Sequence, residues 1–179
     1  MTRRFPSVLA AFAALLLLAG CQADHPAASQ QSQQTGHVDT NFLFKASRNG
    51  LAQTAFARLA QTKAADPKLR SLAENVLHDH ATIDEQLAAF AQARGVALTD
   101  VMDPEDQRFD HQLQSLNGFM FDRAYIERQL QAQTMAMQEF QAEADSGKDA
   151  ELRDFARRTL PALQSNLRQL AGMSGLVPG

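Results

Sequence analysis

The sequence is short of several things. In 179 residues it has one cysteine, one tyrosine, no tryptophan and nine glycines. A lone cysteine excludes an internal disulfide framework and a thiolate zinc cluster. Few glycines and aromatics of the strand-forming kind, beside abundant Ala, Leu and Gln, argue against a β-sandwich or barrel and for a helical chain. Positive charge is not in excess: 17 basic against 20 acidic residues give a net charge of -3 and a pI near 5.9, which offers nucleic acid no electrostatic footprint. No apolar run reaches the ~20 residues of a bilayer span. No 34- or 40-residue repeat is evident, which argues against a solenoid. The length suits one domain with a real core.

What is present begins with a targeting pattern. Arg3 and Arg4 precede the apolar run Val8 to Leu18, and Leu18-Ala19-Gly20-Cys21 follows. The spacing after the arginines does not fit a twin-arginine signal, so Sec export is expected. A leucine, two small residues and a cysteine resemble the bacterial lipobox, which implies cleavage between Gly20 and Cys21 and acylation of the Cys21 thiol. Buried acyl chains supply about 0.8 kcal/mol per methylene, enough together to anchor a domain. Gln22, not Asp, follows the cysteine, and by analogy with enteric lipoproteins this points to the outer membrane. Removing residues 1–20 takes away two arginines and no acid, leaving 15 basic and 20 acidic groups, a formal -5.

Residues 22–38 are polar and low in complexity, too poor in large apolar side chains to offset their ordering entropy by burial. They read as a disordered tether in which His25 and His37 are solvated. The expected organisation is a signal peptide over 1–20, a lipidated tether over 21–38, a helical domain over 39–173 and a short tail over 174–179.

From residue 39 the pattern becomes periodic. A first helix fits 40–63, capped by Asp39 or Thr40, with Phe42, Ala46, Phe56, Leu59 and Ala60 inward. Gly50 weakens it, at about 1 kcal/mol relative to Ala. A second opens on Asp66-Pro67, carries Leu69, Ala73, Val76, Ile83, Leu87 and Phe90, and closes at Gly95. Asp103-Pro104 repeats that start for a short helix over 104–116. A fourth helix fits 120–145 with Ile126, Leu130, Met137 and Phe140 on one face. The last covers 149–171, with Leu152, Phe155, Ala156, Leu160, Leu163, Leu167 and Leu170 inward; Pro161 deletes one backbone bond and predicts a kink. Four long amphipathic helices without strands predict an all-α, antiparallel four-helix bundle, the short helix lying in a long ferritin-like crossover over 96–119.

The informative residues are polar ones on apolar stripes. His80 lies between Val76 and Ile83, whereas His78 is about 200° round the helix and faces solvent. Gln133 falls between Leu130 and Met137, Asn166 between Leu163 and Leu170, and Gln53 three before Phe56. Each long helix thus contributes one inward polar residue, Gln53, His80, Gln133 and Asn166. Buried amides and imidazole need hydrogen-bond partners, and four meeting at one height are expected to satisfy each other. As metal ligands they are poor, because amides are weak neutral donors and one imidazole does not hold a transition metal.

The segments Asn49-Gly50-Leu51-Ala52-Gln53, Leu72 to His80 with its Asp79-His80 dipeptide, Phe121-Asp122-Arg123-Ala124-Tyr125 and Leu160-Pro161-Ala162-Leu163-Gln164-Ser165-Asn166-Leu167 resemble the domain of unknown function 4142 family. The likeness runs from Asp39 to Met173. It implies a ferritin-like helical bundle and a predicted outer membrane location. Members of that family commonly carry Glu at the position of Gln53 and His at the positions of Gln133 and Asn166, a set resembling a metal site. Here only His80 of that set is kept, so the resemblance implies the fold and the location while this chain departs at the ligands.

Other constellations carry less. Asp79, Asp84 and Glu85 around His80 offer acid and base types, with Asp79 and Glu85 expected on solvated faces. Met135 and Met137 offer soft donors but face different ways. Asp122 reads as a cap or ion-pair partner near the start of its own helix, beside Arg123 and Tyr125, and His111 follows Asp110 on the short helix. No Ser-His-Asp geometry can be placed. The expectation is a non-enzymatic envelope lipoprotein with a structural, interaction or stress-related role and no resident cofactor, partnered by the membrane through its anchor and by an unidentified envelope protein. A metal-binding or metal-buffering periplasmic protein, holding a transition metal through His80, is the alternative.

Overall fold

The computed structural model describes residues 36–174, and there every regular element is helical: α1 (His37–Lys63), α2 (Pro67–Ala93), α3 (Pro104–Ser115), α4 (Gly118–Ser146) and α5 (Ala150–Ser174). Signal, lipidation and cleavage positions, including Gly20 and Cys21, lie outside the described residues, as do His25 and residues 175–179. No helix among the described residues is long and apolar enough to cross a membrane.

Local chemistry sets the boundaries. Asp66 accepts the Lys68 amide at 2.8 Å, Pro67 follows at the first helical position, and Gly95, with φ +66°, ends the descent of α2 in the left-handed region that glycine tolerates. Asp149 does the same for α5 by accepting the amides of Glu151 and Leu152 at 2.9 and 3.2 Å. α1 begins at His37, two residues inside the stretch expected to be tether. Asp39 is therefore no N-cap but sits in the first turn, buried, where its carboxylate takes the Gly36 amide at 3.0 Å. α5 runs unbroken through Pro161, which is exposed.

α1 packs on α2 and α4 on α5, and the two hairpins join through α1–α4 and α2–α5. Directions follow from contacts at the ends. The start of α1 meets the α4–α5 turn, where the Lys148 amide donates to Asp39 at 2.7 Å, and the end of α2 meets the start of α5, where Arg94 pairs with Asp149 at 2.6 Å. At the opposite end Lys63 donates to the carbonyl of Gln114 at 2.8 Å. The 94–117 connection thus travels the length of α1, with Phe109 of α3 edge-on against Phe56 at 5.2 Å. Hence α1 and α5 run one way, α2 and α4 the other.

The two hairpins repeat one design. Asp39, Asp66 and Arg70 stand 83 residues before Asp122, Asp149 and Arg153, and Phe42-Leu43, Leu69 and Ala73 align likewise with Tyr125-Ile126, Leu152 and Ala156. The hydrogen bonds repeat with the residues. Arg70 donates to the carbonyls of Ala64 and Ala65 at 2.6 and 3.0 Å, and Arg153 to those of Gly147 and Lys148 at 2.9 Å each. Asp122 accepts the amides of Ala65 and Asp66 at 2.9 Å each, so it fastens the turn of the other hairpin. This corrects the expectation that Asp122 serves the start of its own helix. An 83-residue spacing is too long to register as a solenoid repeat.

The core is in two parts. One cluster, toward the α1–α2 turn, contains Phe56, Leu69, Leu72, Leu113, Phe121, Tyr125 and Leu170. The other, toward the α4–α5 turn, contains Leu43, Leu87, Leu152, Leu163 and three phenylalanines, Phe42, Phe140 and Phe155, with centroids 5.0 to 6.4 Å apart. Each buried Phe contributes roughly 1.5–3 kcal/mol. The fourth helix is rotated from expectation. Ala136 is inward, whereas Leu130 and Met137 are only half-buried.

Candidate functional site

Between the two clusters every long helix crosses a polar level. On α1 the buried apolar residues stop at Ala46 and resume at Ala52, on α2 at Val76 and Ile83, on α4 at Ile126 and Ala136, on α5 at Leu163 and Leu170. The gaps hold, or are edged by, Gln53, His80, Gln129, Gln133 and Asn166, all at most 3% exposed. The heights agree with the end contacts: Gln53 lies 14 residues below Asp39 and Gln133 14 below Gly147, about 21 Å at 1.5 Å per residue. Asn166 sits about one turn further along.

The four residues singled out in the sequence therefore share a level, but they do not satisfy one another. Asn166 donates to Asp79 at 3.1 Å, and Gln53 donates along its own helix to Asn49 at 3.3 Å. Asp79 is half-buried rather than on a solvated face. Both nitrogens of His80, both polar atoms of Gln133 and of Gln129, the Gln53 carbonyl and the Tyr125 hydroxyl find no hydrogen-bond partner among protein groups. Antiparallel helices bring the amides to one height, but neither the carbonyl nor the amide of a neighbour is turned toward the imidazole. Each such buried group costs roughly 1–3 kcal/mol.

Burial governs the electrostatics. It holds the His80 imidazole down at about 4, against the opposing charge of Asp79, so the ring is neutral at pH 7. Burial pushes the Asp84 carboxyl up to about 6. Asp84 leans over the backbone of Gly50, where a Cβ would fall 2.1 Å from its Oδ1; this explains the glycine inside α1. Burial also raises the Tyr125 hydroxyl, whose ring stacks on Phe121 at 5.8 Å.

The donor set is neutral and soft in charge. Among the described residues no three His, Cys, Asp or Glu side chains come together as a metal-holding group. His80 with amides does not match the anionic or multi-imidazole sets that fix divalent transition metals. His78, Glu85 and His111 are exposed, as is Met135, and His37 stands exposed at the start of α1. On the surface a groove of about 510 Å³ runs between α1, α3 and α4, and its charges pair across it as Lys45–Glu139, Arg48–Asp103 and Arg128–Asp106.

A family model described as "Domain of unknown function (DUF4142)" matches residues 23–173. The chain belongs to the DUF4142 family. No curated protein and no solved structure matches it. For this DUF4142 chain three buried polar residues were not evident from the sequence: Thr159, whose hydroxyl donates to the Phe155 carbonyl at 3.0 Å, and two on α4. Gln129 stands one turn before Gln133, and Glu143 three after Phe140; the series Phe121, Tyr125, Gln129, Gln133, Ala136, Phe140, Glu143 has helical spacing throughout. The signal was that periodicity, masked because three of its seven members are polar.

Proposed function

We propose that this DUF4142 protein is an exported envelope lipoprotein, anchored by acylated Cys21 and facing the periplasm from the outer membrane, whose domain is a non-enzymatic structural or interaction module. The lipobox-like Leu18-Ala19-Gly20-Cys21 supports the anchor. The directions of the four long helices, with one long crossover, support a ferritin-like bundle. The observation that carries the non-enzymatic reading is the polar layer: amides and one neutral imidazole that no carboxylate contacts by a hydrogen bond, with Asp79 bonded to Asn166 and Asp84 lying over Gly50. Its role is to fix how the two hairpins seat on each other. A partner would be another envelope protein, and the acidic surface gives anionic lipid headgroups no charge attraction.

The anchor is tested by metabolic labelling with a palmitate analogue and membrane fractionation. Label on the wild type and none on Cys21→Ser is the expected result; equal label, or a soluble wild type, overturns it. Metal binding is the second reading, favoured by the two unpartnered nitrogens of His80. Calorimetric titration with zinc and with copper separates the readings. Stoichiometric micromolar binding that disappears in His80→Ala would replace the structural role with a metal-binding one.

A further inference from the structure

We propose that Asp39 and Glu143 hold one proton between them and form a pH-sensitive latch fastening the first turn of α1 to the turn between α4 and α5. Both side chains are buried, at 0% and 1% exposure. Both oxygens of Asp39 are engaged: Oδ2 accepts the Gly36 amide at 3.0 Å and Oδ1 the Lys148 amide at 2.7 Å. Neither oxygen of Glu143 finds a donor in the protein, and its carboxyl lies over Gly147, where a Cβ would fall 2.1 Å from Oε1, one residue before the Lys148 amide that Asp39 accepts. Two carboxylates in contact without a proton repel, and with one proton they bond. Both Asp39 oxygens already hold amide donors and neither Glu143 oxygen holds one, so the proton resides on Glu143, which donates to Asp39.

The other charged groups nearby do not remove the need for that proton. Asp149 adds negative charge to the site and is itself paired with Arg94 of α2. Arg153 of α5 opposes the effect, but its guanidinium is spent on the carbonyls of Gly147 and Lys148. Burial first, then the charge and hydrogen bond of Asp39, raise the Glu143 carboxyl to about 7.

The molecule contains its own control. At the equivalent corner 83 residues away Asp122 takes two amides of the α1–α2 turn, where Asp39 takes one turn amide and that of Gly36, and the position of Glu143 is occupied by Ala60. The corner folds without a second carboxyl, so Glu143 is an addition that only one hairpin carries. In the protonated state the latch is closed. Loss of the proton places a buried anion against Asp39 and loosens its hold on Lys148, at the point where α1 begins.

The test is NMR titration of the full-length chain in detergent with carboxyl-labelled glutamate, beside Glu143→Gln, which keeps a neutral donor facing Asp39. The Glu143 carboxyl is expected to titrate near neutrality, with the Lys148 amide shifting at the same midpoint, and that amide shift is expected to be absent in the variant. The stability of Glu143→Gln relative to wild type should rise by about tenfold or more in the folding constant between pH 5 and pH 8. A Glu143 midpoint below 5, a Lys148 amide indifferent to it, or an unchanged stability difference overturns the latch.

Discussion

At Gly50 two residue-scale effects oppose each other. Alanine there removes the helix-interior glycine penalty, about 1 kcal/mol, but its Cβ would lie 2.1 Å from Oδ1 and 2.9 Å from Cγ of Asp84. Asp84 can rotate outward, so Gly50→Ala is expected to fold, to change stability little, and to return the Asp84 carboxyl from about 6 toward the ordinary range. A carboxyl-carbon titration checks this; an unmoved midpoint would show that Gly50 does not hold Asp84 in its buried position. Gly147 is different. A Cβ there would fall 2.1 Å from Oε1 and 2.6 Å from Cδ of Glu143, a fully buried side chain where Asp84 is only half-buried. Gly147→Ala should lose about 1–3 kcal/mol in urea denaturation. Ala64, its counterpart in the other hairpin, is accommodated opposite Ala60. A glycine inside a helix was legible as a weakness, but its cause lies 34 residues away on another helix.

Elements were legible where their signals are local. Asp66-Pro67 and Asp103-Pro104 mark helix starts in the sequence because the signal adjoins the helix it opens, although only Asp66 caps through its side chain and the Asp103 carboxylate turns to Arg48. The rotation of α4 was not legible, since Gln129 and Glu143 occupy inward positions that a hydrophobic pattern reads as outward, although Gln133 between them was read as inward. Nor was the partner of Asp122, which lies 56 and 57 residues back. That long-range cap is the stronger one. Asp122→Asn leaves a single carbonyl oxygen for two amides and removes the charge, and it should cost about 1–3 kcal/mol. Asp66→Ala, which deletes an exposed cap, should cost about 1 kcal/mol or less. Urea titration of the two variants ranks them, and equal losses would mean that Asp122 is dispensable to the α1–α2 turn.

Across the whole molecule the polar level and the carboxyl corner act on stability with opposite sign in one pH window. The folded His80 pKa lies below its unfolded value of 6.5, at about 4, so the native state binds fewer protons there and its stability is lost as pH falls through that range. The folded Glu143 pKa lies above its unfolded 4.5, at about 7, so its contribution is present at low pH and lost as pH rises through neutrality. Asp84, raised from 3.8 to about 6, acts in the same direction as Glu143. Each slope on its own is on the order of 2–3 kcal/mol across its window, and together they flatten the wild-type profile. Single variants should expose the hidden slopes. His80→Leu fills the imidazole's place with an apolar group of similar bulk, removes two unpartnered nitrogens, and should be more stable than wild type at pH 4.5 and increasingly less favoured as pH rises. Glu143→Gln should show the reverse trend, losing stability as pH falls because His80 is then unopposed by the corner. Urea midpoints at pH 4.5, 6 and 7.5 for the wild type and both variants decide the matter, and parallel profiles for all three would sink it. The sequence carried the inward position of His80. It did not carry the charge state, which depends on the burial that four helices impose together.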